Sequence, residues 1–307
     1  MDKISILYCP NHWGLGRQKK KRELITSALD SAGLQYDFVQ SESAESVGRL
    51  VTMMADNGYT TIVICGGDSA ISSAVNSLMH SEQSIRQQVR IAIIPNGVMN
   101  DFADFWGLTK DDISLSIAAI AKGRTRRVDV GCLRYRDRRG TEQHRYFINC
   151  LNIGLVAALQ RLRQRTRSFF GSRTISYISS LLLIVTQRLD YHMHFRINGE
   201  DEQRRVMTMC IGNAQGYGQT PNAVPYNGLL DVSVVRNAPV LQLFAGIRLF
   251  LSRRFLMHRG VHPYRTRQVD IISAPTAPVA LDGHYLGQLQ GDYTVTVQAE
   301  QVNLIIP

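Results

Sequence analysis

Short apolar runs alternate with amphipathic stretches along residues 1–125. Thr60–Cys65 and Arg90–Ile94 are brief β-branched runs, which favour buried parallel strands. Strands that alternate with helices predict a parallel sheet with helices on both faces. The predicted strands here are Lys3–Cys9, Tyr36–Gln40, Thr60–Cys65 and Arg90–Ile94, and the predicted helices are Arg17–Ala32, Ala44–Asn57, Ser69–His80, Asn100–Trp106 and Asp111–Lys122.

From Arg126 onward, strand patterns dominate, and Asn198-Gly199 and Asp282-Gly283 indicate hairpin turns. We therefore predict an α/β class N-terminal domain (1–125, three-layer α/β/α and Rossmann-like) and a β-sandwich-like domain (126–292), with the strand at 293–307 able to rejoin the first. The predicted strands are Arg127–Tyr135, Arg145–Asn152, Met193–Asn198, Arg205–Ile211, Leu229–Val235, Val269–Ser273, Val279–Leu281 and Tyr293–Ile306, and helical spacing appears at 155–162, 175–185 and 241–255.

Composition narrows the class of protein. The chain has 307 residues, of which 44% are hydrophobic and 20% are charged, a composition typical of a folded globular protein. No apolar run reaches the ~18 residues of a membrane span, and the N-terminus lacks the layout of a signal peptide. The five cysteines include no CxxC pair, which argues against a disulfide framework or a zinc site and fits a reducing cytoplasm. The net charge of +10 indicates acidic partners: nucleic acid, nucleotide phosphates or anionic lipid.

The first segment that carries chemistry is Gly66-Gly67-Asp68-Ser69, between a predicted strand and a predicted helix. Glycines allow a ligand to approach the backbone closely, and the start of the helix offers N–H groups to a phosphate. Asp68 would orient a metal or the nucleotide. The competing interpretation is an ordinary strand–helix connection, because the sequence has no Walker lysine and no GxGxxG motif.

The second segment is Pro95–Ala103, in which Gly97, Asn100 and Asp101 follow another strand. In a parallel sheet, both turns lie at the carboxyl edge, where ligands bind. The competing interpretation is that Asn100 only caps its own helix.

These two segments, in this order, resemble the catalytic region of the diacylglycerol kinase family, in its soluble bacterial lipid-kinase branch. That family carries Gly-Gly-Asp-Gly-Thr and then Pro-x-Gly-Thr-x-Asn-Asp-Phe-Ala. The resemblance extends over nearly the whole chain. Further segments that are similar to the family are 127–131, 147–154, 176–178, 221–232 and 281–283.

The resemblance implies transfer of a phosphoryl group from ATP to a lipid hydroxyl, in the fold shared by diacylglycerol kinases and NAD kinase. It implies that ATP and Mg²⁺ serve as cofactors, since phosphoryl transfer depends on positioning and charge neutralisation. Asn227 falls at the metal position, and His284 falls at the general base, with Asp68 beside the reacting phosphates. The ATP-facing residues implied are Gly66, Gly67, Asp68, Ser69, Gly97, Asn100 and Asp101.

The residues that differ from the family pattern occupy positions to which the resemblance assigns a chemical role. Ser69 precedes Ala70 where the family has Gly-Thr, and Val98, Val156, Asn227 and His284 replace a threonine, two aspartates and a glutamate. Asparagine brings no charge to a metal, whereas imidazole titrates near neutral pH and is a competent base. Two hypotheses stay open: an active but altered lipid kinase, and an inactive relative that binds a lipid or a nucleotide.

Clustered arginines indicate an anionic membrane surface as a partner. No helix-turn-helix, RNA-binding motif or zinc finger supports nucleic acid. We therefore predict a cytoplasmic protein, peripherally associated with a membrane, that acts on a lipid substrate. The identity of the lipid and the oligomeric state, a dimer included, stay open. The arginines form two groups: 161, 163, 165, 167 and 173 around Phe169-Phe170, and 248, 253, 254, 259, 265 and 267 after the third helix.

Overall fold

Strands and helices alternate from Ile4 to Lys122 in the computed structural model of the chain. The structure describes residues 2–10, 15–97, 99–161, 190–236, 249 and 254–307. In chain order the elements are β1 (Ile4–Tyr8), α1 (Leu15–Ser31), β2 (Asp37–Gln40), α2 (Ala44–Asp56), β3 (Thr61–Gly66), α3 (Asp68–Met79), α4 (Gln83–Gln88), β4 (Arg90–Pro95), α5 (Asp101–Phe105) and α6 (Ser114–Lys122).

Strands make up most of the regular structure among the described residues after Lys122. Residues 155–161 are helical, and short 3-10 turns occur at Gly216–Gly218 and Phe255–Met257. The strands are β5 (Thr125–Arg136), β6 (Glu142–Phe147), β7 (Cys150–Gly154), β8 (Tyr191–Ile197), β9 (Glu200–Val206), β10 (Thr208–Gly212), β11 (Leu230–Val235), β12 (Val261–Thr266), β13 (Gln268–Ser273), β14 (Pro278–Leu281), β15 (His284–Gln288) and β16 (Tyr293–Ile305).

The chain divides into two units, less simply than the predicted ranges 1–125 and 126–292. The first unit consists of Met1–Val130, Pro225–Gly228 and Gln298–Pro307, and the second consists of Gly131–Val224 and Leu229–Val297. The last strand, β16, therefore contributes its beginning to the second unit and its end to the first.

The first unit contains a parallel sheet with the strand order β2-β1-β3-β4-β16. All six residues of β3 are buried, as expected for a central strand covered on both faces. The outer helix α2 has an amphipathic pattern and begins with a capping box between Ser43 and Ser46. α6 is followed by the cap residue Gly123, whose φ of 63° is left-handed and therefore suits glycine. This arrangement confirms the predicted α/β class.

The second unit contains an antiparallel six-stranded sheet with the order β12-β11-β10-β7-β14-β15. A second antiparallel set, β9-β8-β13, continues into the beginning of β16. Apolar side chains from both sets, among them Ile153, Phe195, Ile211 and Val295, form one buried core. The predicted β-sandwich-like class is thus confirmed for this part of the chain.

Several sequence predictions of elements were wrong. The single strand predicted at 145–152 is two strands, β6 and β7, and the one predicted at 205–211 spans the end of β9 and most of β10. Three described elements, α4, β12 and β15, were not predicted at all, and neither was the first part of β9. The helices predicted at 175–185 and, for the most part, 241–255 lie outside the described residues.

No helix in the described part of the chain is long and apolar enough to cross a membrane.

Candidate functional site

Two glycine loops lie side by side at the carboxyl edge of the parallel sheet. β3 and β4 are neighbours, with Gly66 opposite Pro95, and the N–H of Asn96 donates to the carbonyl of Gly66 at 2.9 Å. A Cβ atom at Gly67 would lie 2.7 Å from the Cα of Gly97, and one at Gly97 would lie 2.3 Å from the Cα of Gly67. Neither position has room for a side chain, so this edge is built from backbone.

The Asp68 carboxylate joins these loops. It is 3% exposed, and it accepts the backbone N–H of Asp101 at 3.0 Å and that of Phe102 at 3.1 Å. The N–H of Asp68 in turn donates to the carbonyl of Met99 at 3.1 Å. Asp68 therefore begins α3 and at the same time caps α5, using both of its carboxylate oxygens.

The competing interpretation, in which Asn100 only caps its own helix, holds for its backbone and not for its side chain. Its backbone occupies the cap position, but its side chain makes no capping hydrogen bond. Instead its Oδ1 accepts the N–H of Gly97 at 2.9 Å, and its Nδ2 donates to the carbonyl of Gly97 at 3.2 Å. Asn100 thus fixes the second glycine loop, while Asp68 supplies the cap.

The remaining predicted residues at this edge differ in exposure. Ser69 is exposed in the first turn of α3, and Asp101 is partly exposed in the first turn of α5. Gly66, Gly67, Asp68, Ser69, Gly97, Asn100 and Asp101 all belong to these two loops and the helix starts that follow them. The structure therefore brings together the seven residues that the resemblance assigned to ATP.

Two thiols lie next to the glycine loops. Cys65 is buried at the end of β3, and the N–H of Cys9 donates to its carbonyl at 2.9 Å. Burial raises the pKa of Cys9 to about 11 and also raises the pKa of Cys65. Both are therefore neutral thiols at physiological pH and poor nucleophiles.

Asn227 lies on a short segment that joins the first unit. It is exposed, and the next residue, Gly228, donates its N–H to Asp129 Oδ2 at 2.7 Å. Asp129 is 1% exposed, and its Oδ1 accepts the N–H of Glu300 at 2.9 Å. On the other side of Asn227, the guanidinium group of Arg126 lies over the Tyr226 ring, 3.6 Å from the ring centroid. Contacts on both sides therefore hold the segment that presents Asn227.

His284 follows a tight hairpin turn in the second unit. The turn residues Asp282 and Gly283 have φ values of 46° and 84°, as a primed hairpin turn requires. The His284 Nε2 atom is buried and has no hydrogen-bond partner among the described residues.

The Asp282 carboxylate holds this turn in place through hydrogen bonds to the backbone. It is 1% exposed and accepts three backbone N–H groups, from Ile148 at 2.9 Å, Asn149 at 3.0 Å and Cys150 at 2.9 Å. These bonds occupy the break between β6 and β7, which explains why one predicted strand became two.

Asp129 and Asp282 are organising residues to which the sequence analysis gave no role. Each is a carboxylate buried in strand or turn sequence, within the segments Arg127–Gly131 and Leu281–Gly283. A charged residue between apolar neighbours was the available signal, since buried charges require hydrogen-bond partners.

The described residues contain no group of three or more His, Cys, Asp or Glu side chains suited to a metal ion. Of the substituted positions, Val98 lies outside the described residues, and Val156 is partly buried in the helical stretch 155–161. Arg163, Arg165, Arg167, Arg173, Arg248 and Arg253, together with Phe169-Phe170, also lie outside them. The members of the two arginine groups that lie within the described part are all exposed: Arg161, Arg254, Arg259, Arg265 and Arg267.

An α/β unit with a glycine-built sheet edge, followed by a chain segment rich in antiparallel strands, defines the class of fold. The crystal structure of a diacylglycerol kinase from Bacillus anthracis matches this chain with a TM-score of 0.68 and 15% identity, covering 100% of this chain and 97% of that one. The yeast NADH kinase complexed with NADH matches with a TM-score of 0.56 and 9% identity, covering 99% and 82%. The expected fold group is thereby confirmed.

The chain belongs to the diacylglycerol kinase family. The family described as the diacylglycerol kinase catalytic domain matches residues 10–133, and the YegS C-terminal NAD kinase beta sandwich-like domain matches residues 150–306. A curated relative, the diacylglycerol kinase of Staphylococcus carnosus, is 22% identical over 295 residues, covering 94% of this chain and 90% of the relative. The predicted family is confirmed, and a kinase family implies a nucleotide substrate.

Proposed function

We propose that this protein transfers the γ-phosphoryl group of ATP to a lipid hydroxyl at a membrane surface. The observation that carries the proposal is the backbone-built edge at Gly67 and Gly97, where side chains are excluded. A phosphate chain requires close approach to N–H groups at a helix start, and this edge permits it. α3, with 12 residues, is long enough to add a helix dipole to that attraction.

In this proposal Gly66, Gly67, Ser69 and Gly97 face the phosphates, and Asn100 keeps the second loop in place. Asp68 acts close to the reacting phosphates, but both of its oxygens already accept backbone N–H groups. Its main contribution is therefore to hold the start of α5, and with it Asp101, in position.

Magnesium fits this chain only together with a nucleotide. Kinases bind Mg²⁺ through one or two carboxylates plus the substrate phosphates, so the lack of a group of three or more metal-binding side chains among the described residues is compatible with it. Asn227 would offer a neutral amide oxygen, and the ion would supply charge neutralisation to the phosphates. Because Asn227 brings no charge, we expect weak metal affinity at this position.

His284 is the proposed general base. Its buried Nε2 lacks a partner among the described residues, so this atom is available to accept the proton of a lipid alcohol. The Asp282 turn fixes the backbone that carries the imidazole, which limits the positions the ring can take.

An anionic membrane is the proposed surface of action. Met257 is 72% exposed between Arg254 and Arg259, which are also exposed. An apolar side chain flanked by arginines suits the boundary between lipid headgroups and acyl chains. We propose peripheral membrane attachment in the cytoplasm without nucleic acid as a partner.

A second candidate function is binding without transfer. The occupied oxygens of Asp68 and the neutral Asn227 favour it, because both reduce the negative charge available to a metal.

Radiolabelled ATP tests the two candidates against each other. The protein is incubated with magnesium or manganese and mixed vesicles that contain diacylglycerol, phosphatidylglycerol, ceramide or a sphingoid base. Label that appears in a lipid product supports the kinase. The absence of transfer to every lipid, with no ATP binding by calorimetry, overturns it, whereas ATP binding without transfer supports the second candidate. Vesicle sedimentation in the presence of a nucleic acid competitor tests whether the protein binds the anionic membrane or nucleic acid.

A further inference from the structure

A groove in the second unit is lined by three arginines. It lies between the β8–β9 turn and the β12–β13 turn and has a volume of about 440 Å³. That volume falls within the range of small-molecule sites, roughly 300–1,000 Å³. Arg196, Arg265 and Arg267 contribute the guanidinium groups, and Leu229 contributes an apolar side chain.

Arg265 is held in one orientation by a two-point ion pair. Its Nε lies 2.6 Å from Asp231 Oδ1, and its Nη2 lies 3.2 Å from Asp231 Oδ2. The hydrogen bonds to Asp231 also raise the pKa of Arg265. Half of its side chain stays exposed (51%), so this arginine is fixed and still accessible.

The other two arginines keep most of their donors for a ligand. Arg196 pairs through Nη2 with Asp201 Oδ2 at 3.0 Å, and 51% of its side chain is exposed. Arg267 is exposed and forms no ion pair with any residue that the structure describes. Each guanidinium has five N–H donors, and these pairings use a minority of them.

The wall between the arginines is held in place by its own contacts. Asn198, with a left-handed φ of 53°, donates from Nδ2 to the carbonyl of Arg265 at 3.1 Å, which ties the β8–β9 turn to the end of β12. The one carboxylate in the lining, Asp270, accepts Gln268 Nε2 at 2.8 and 3.0 Å and Thr294 Oγ1 at 2.9 Å. Its oxygens are therefore engaged by neighbours within the wall.

We propose that this groove binds a phosphate ester. The guanidinium N–H groups of three lining arginines match phosphate oxygens, and charge-assisted bonds to phosphate are among the strongest in proteins. Leu229 and the aliphatic stems of the arginines suit the glycerol part of such an ester. The ester is either the headgroup of a membrane phospholipid or a soluble glycerol phosphate.

The proposed phosphate-ester site rests on the proposed function, because it names the chemical group that the protein would recognise in its membrane partner. It is tested by binding alone, so its failure leaves the proposed phosphoryl transfer untouched, and a failed transfer assay leaves the groove untouched.

The experiment compares two double variants of equal net charge. Arg196→Gln with Arg267→Gln removes two groove arginines, leaving the Asp231 pair intact. Arg138→Gln with Arg139→Gln removes two exposed arginines from the β5–β6 turn of the same unit and is the control. Thermal unfolding by circular dichroism checks that both variants fold. Binding is measured by sedimentation with phosphatidylglycerol and phosphatidylcholine vesicles, and by phosphorus NMR with glycerol 3-phosphate.

We expect the groove variant to bind phosphatidylglycerol vesicles roughly thirtyfold more weakly than the parent, which is the loss expected for two arginines at a charged surface. The control should stay within about twofold of the parent. Line broadening of glycerol 3-phosphate that the groove variant abolishes identifies the soluble ester as a ligand. Groove-dependent vesicle binding without such broadening identifies the membrane headgroup. Equal losses in both double variants, or a loss in neither assay, would overturn the proposal.

Discussion

The Asp68 carboxylate accepts the backbone N–H of Phe102 at 3.1 Å, although 34 positions separate the two residues along the chain. A helix of five residues such as α5 cannot stabilise itself, so its start depends on this external cap. Asp68 is itself the first residue of α3, so its side chain links the start of that helix to the start of α5.

Replacing Asp68 by asparagine should lower the free energy of unfolding by about 1–3 kcal/mol. The amide keeps one acceptor but turns an NH₂ group toward a backbone N–H. Urea denaturation measures the change. The control is Asp111→Asn, which alters an exposed aspartate of the same unit. Equal stability of the two variants would show that the Asp68 carboxylate does not act as a cap.

Gly67→Ala should abolish ATP binding and destabilise the first unit by about 1–3 kcal/mol. The added methyl group would lie 2.8 Å from the carbonyl oxygen of Met99, as well as against Gly97, so both loops must shift. Calorimetry measures ATP affinity. Gly48→Ala is the matched control, since its Cβ would have no neighbour closer than 3.4 Å. Unchanged ATP affinity in Gly67→Ala would exclude this edge as the phosphate site.

His284→Ala should lower lipid phosphorylation by about 10²–10⁴-fold while ATP binding stays unchanged. His284→Glu should restore part of the rate, because a carboxylate also accepts a proton. The control is His262→Ala, since His262 Nε2 is likewise buried without a partner among the described residues. Full turnover in His284→Ala would remove this residue from the mechanism.

Cys9 should react slowly with iodoacetamide at pH 8, at about one hundredth of the rate in the unfolded chain. Burial penalises the thiolate and raises the pKa from 9.0 to about 11, so the rate should rise with pH up to that value. By linkage, the contribution of Cys9 to folding stability is complete below pH 9 and falls as the pH rises toward 11, since the unfolded chain loses its proton first. Mass spectrometry of the labelled peptide follows the reaction, with Cys9→Ser as the control. A labelling rate that levels off near pH 9 would contradict the predicted shift.

Elements that periodicity describes well were predictable from the sequence. β3 and β4 are continuous apolar runs, and their glycine turns marked the candidate site directly. β9 escaped prediction because it carries Glu, Asp, Gln and Arg on an edge, where charge discourages further strand pairing. β12 escaped because it contains Pro263, which only an edge strand tolerates.

Features that depend on contacts between residues far apart in the sequence could not be predicted. The break between β6 and β7 depends on the Asp282 carboxylate, more than 130 positions away, and local pattern contains no trace of it. The cap of α5 by Asp68 is hidden for the same reason. By contrast, the seven residues at the sheet edge lie where two predicted parallel strands end, so the shared carboxyl edge and the family resemblance together were enough to group them.

The contact between Gly67 and Gly97 makes each glycine the limit on the other. A larger residue at either position would displace the partner loop, together with the Asn100 and Asp68 bonds attached to it. A single substitution at Gly67 or Gly97 is therefore excluded by a steric clash. The neighbouring side chain of Ser69 is exposed and can be replaced without such a clash. Chemical change at this edge can thus proceed through neighbouring side chains while the backbone surface that faces a ligand stays the same.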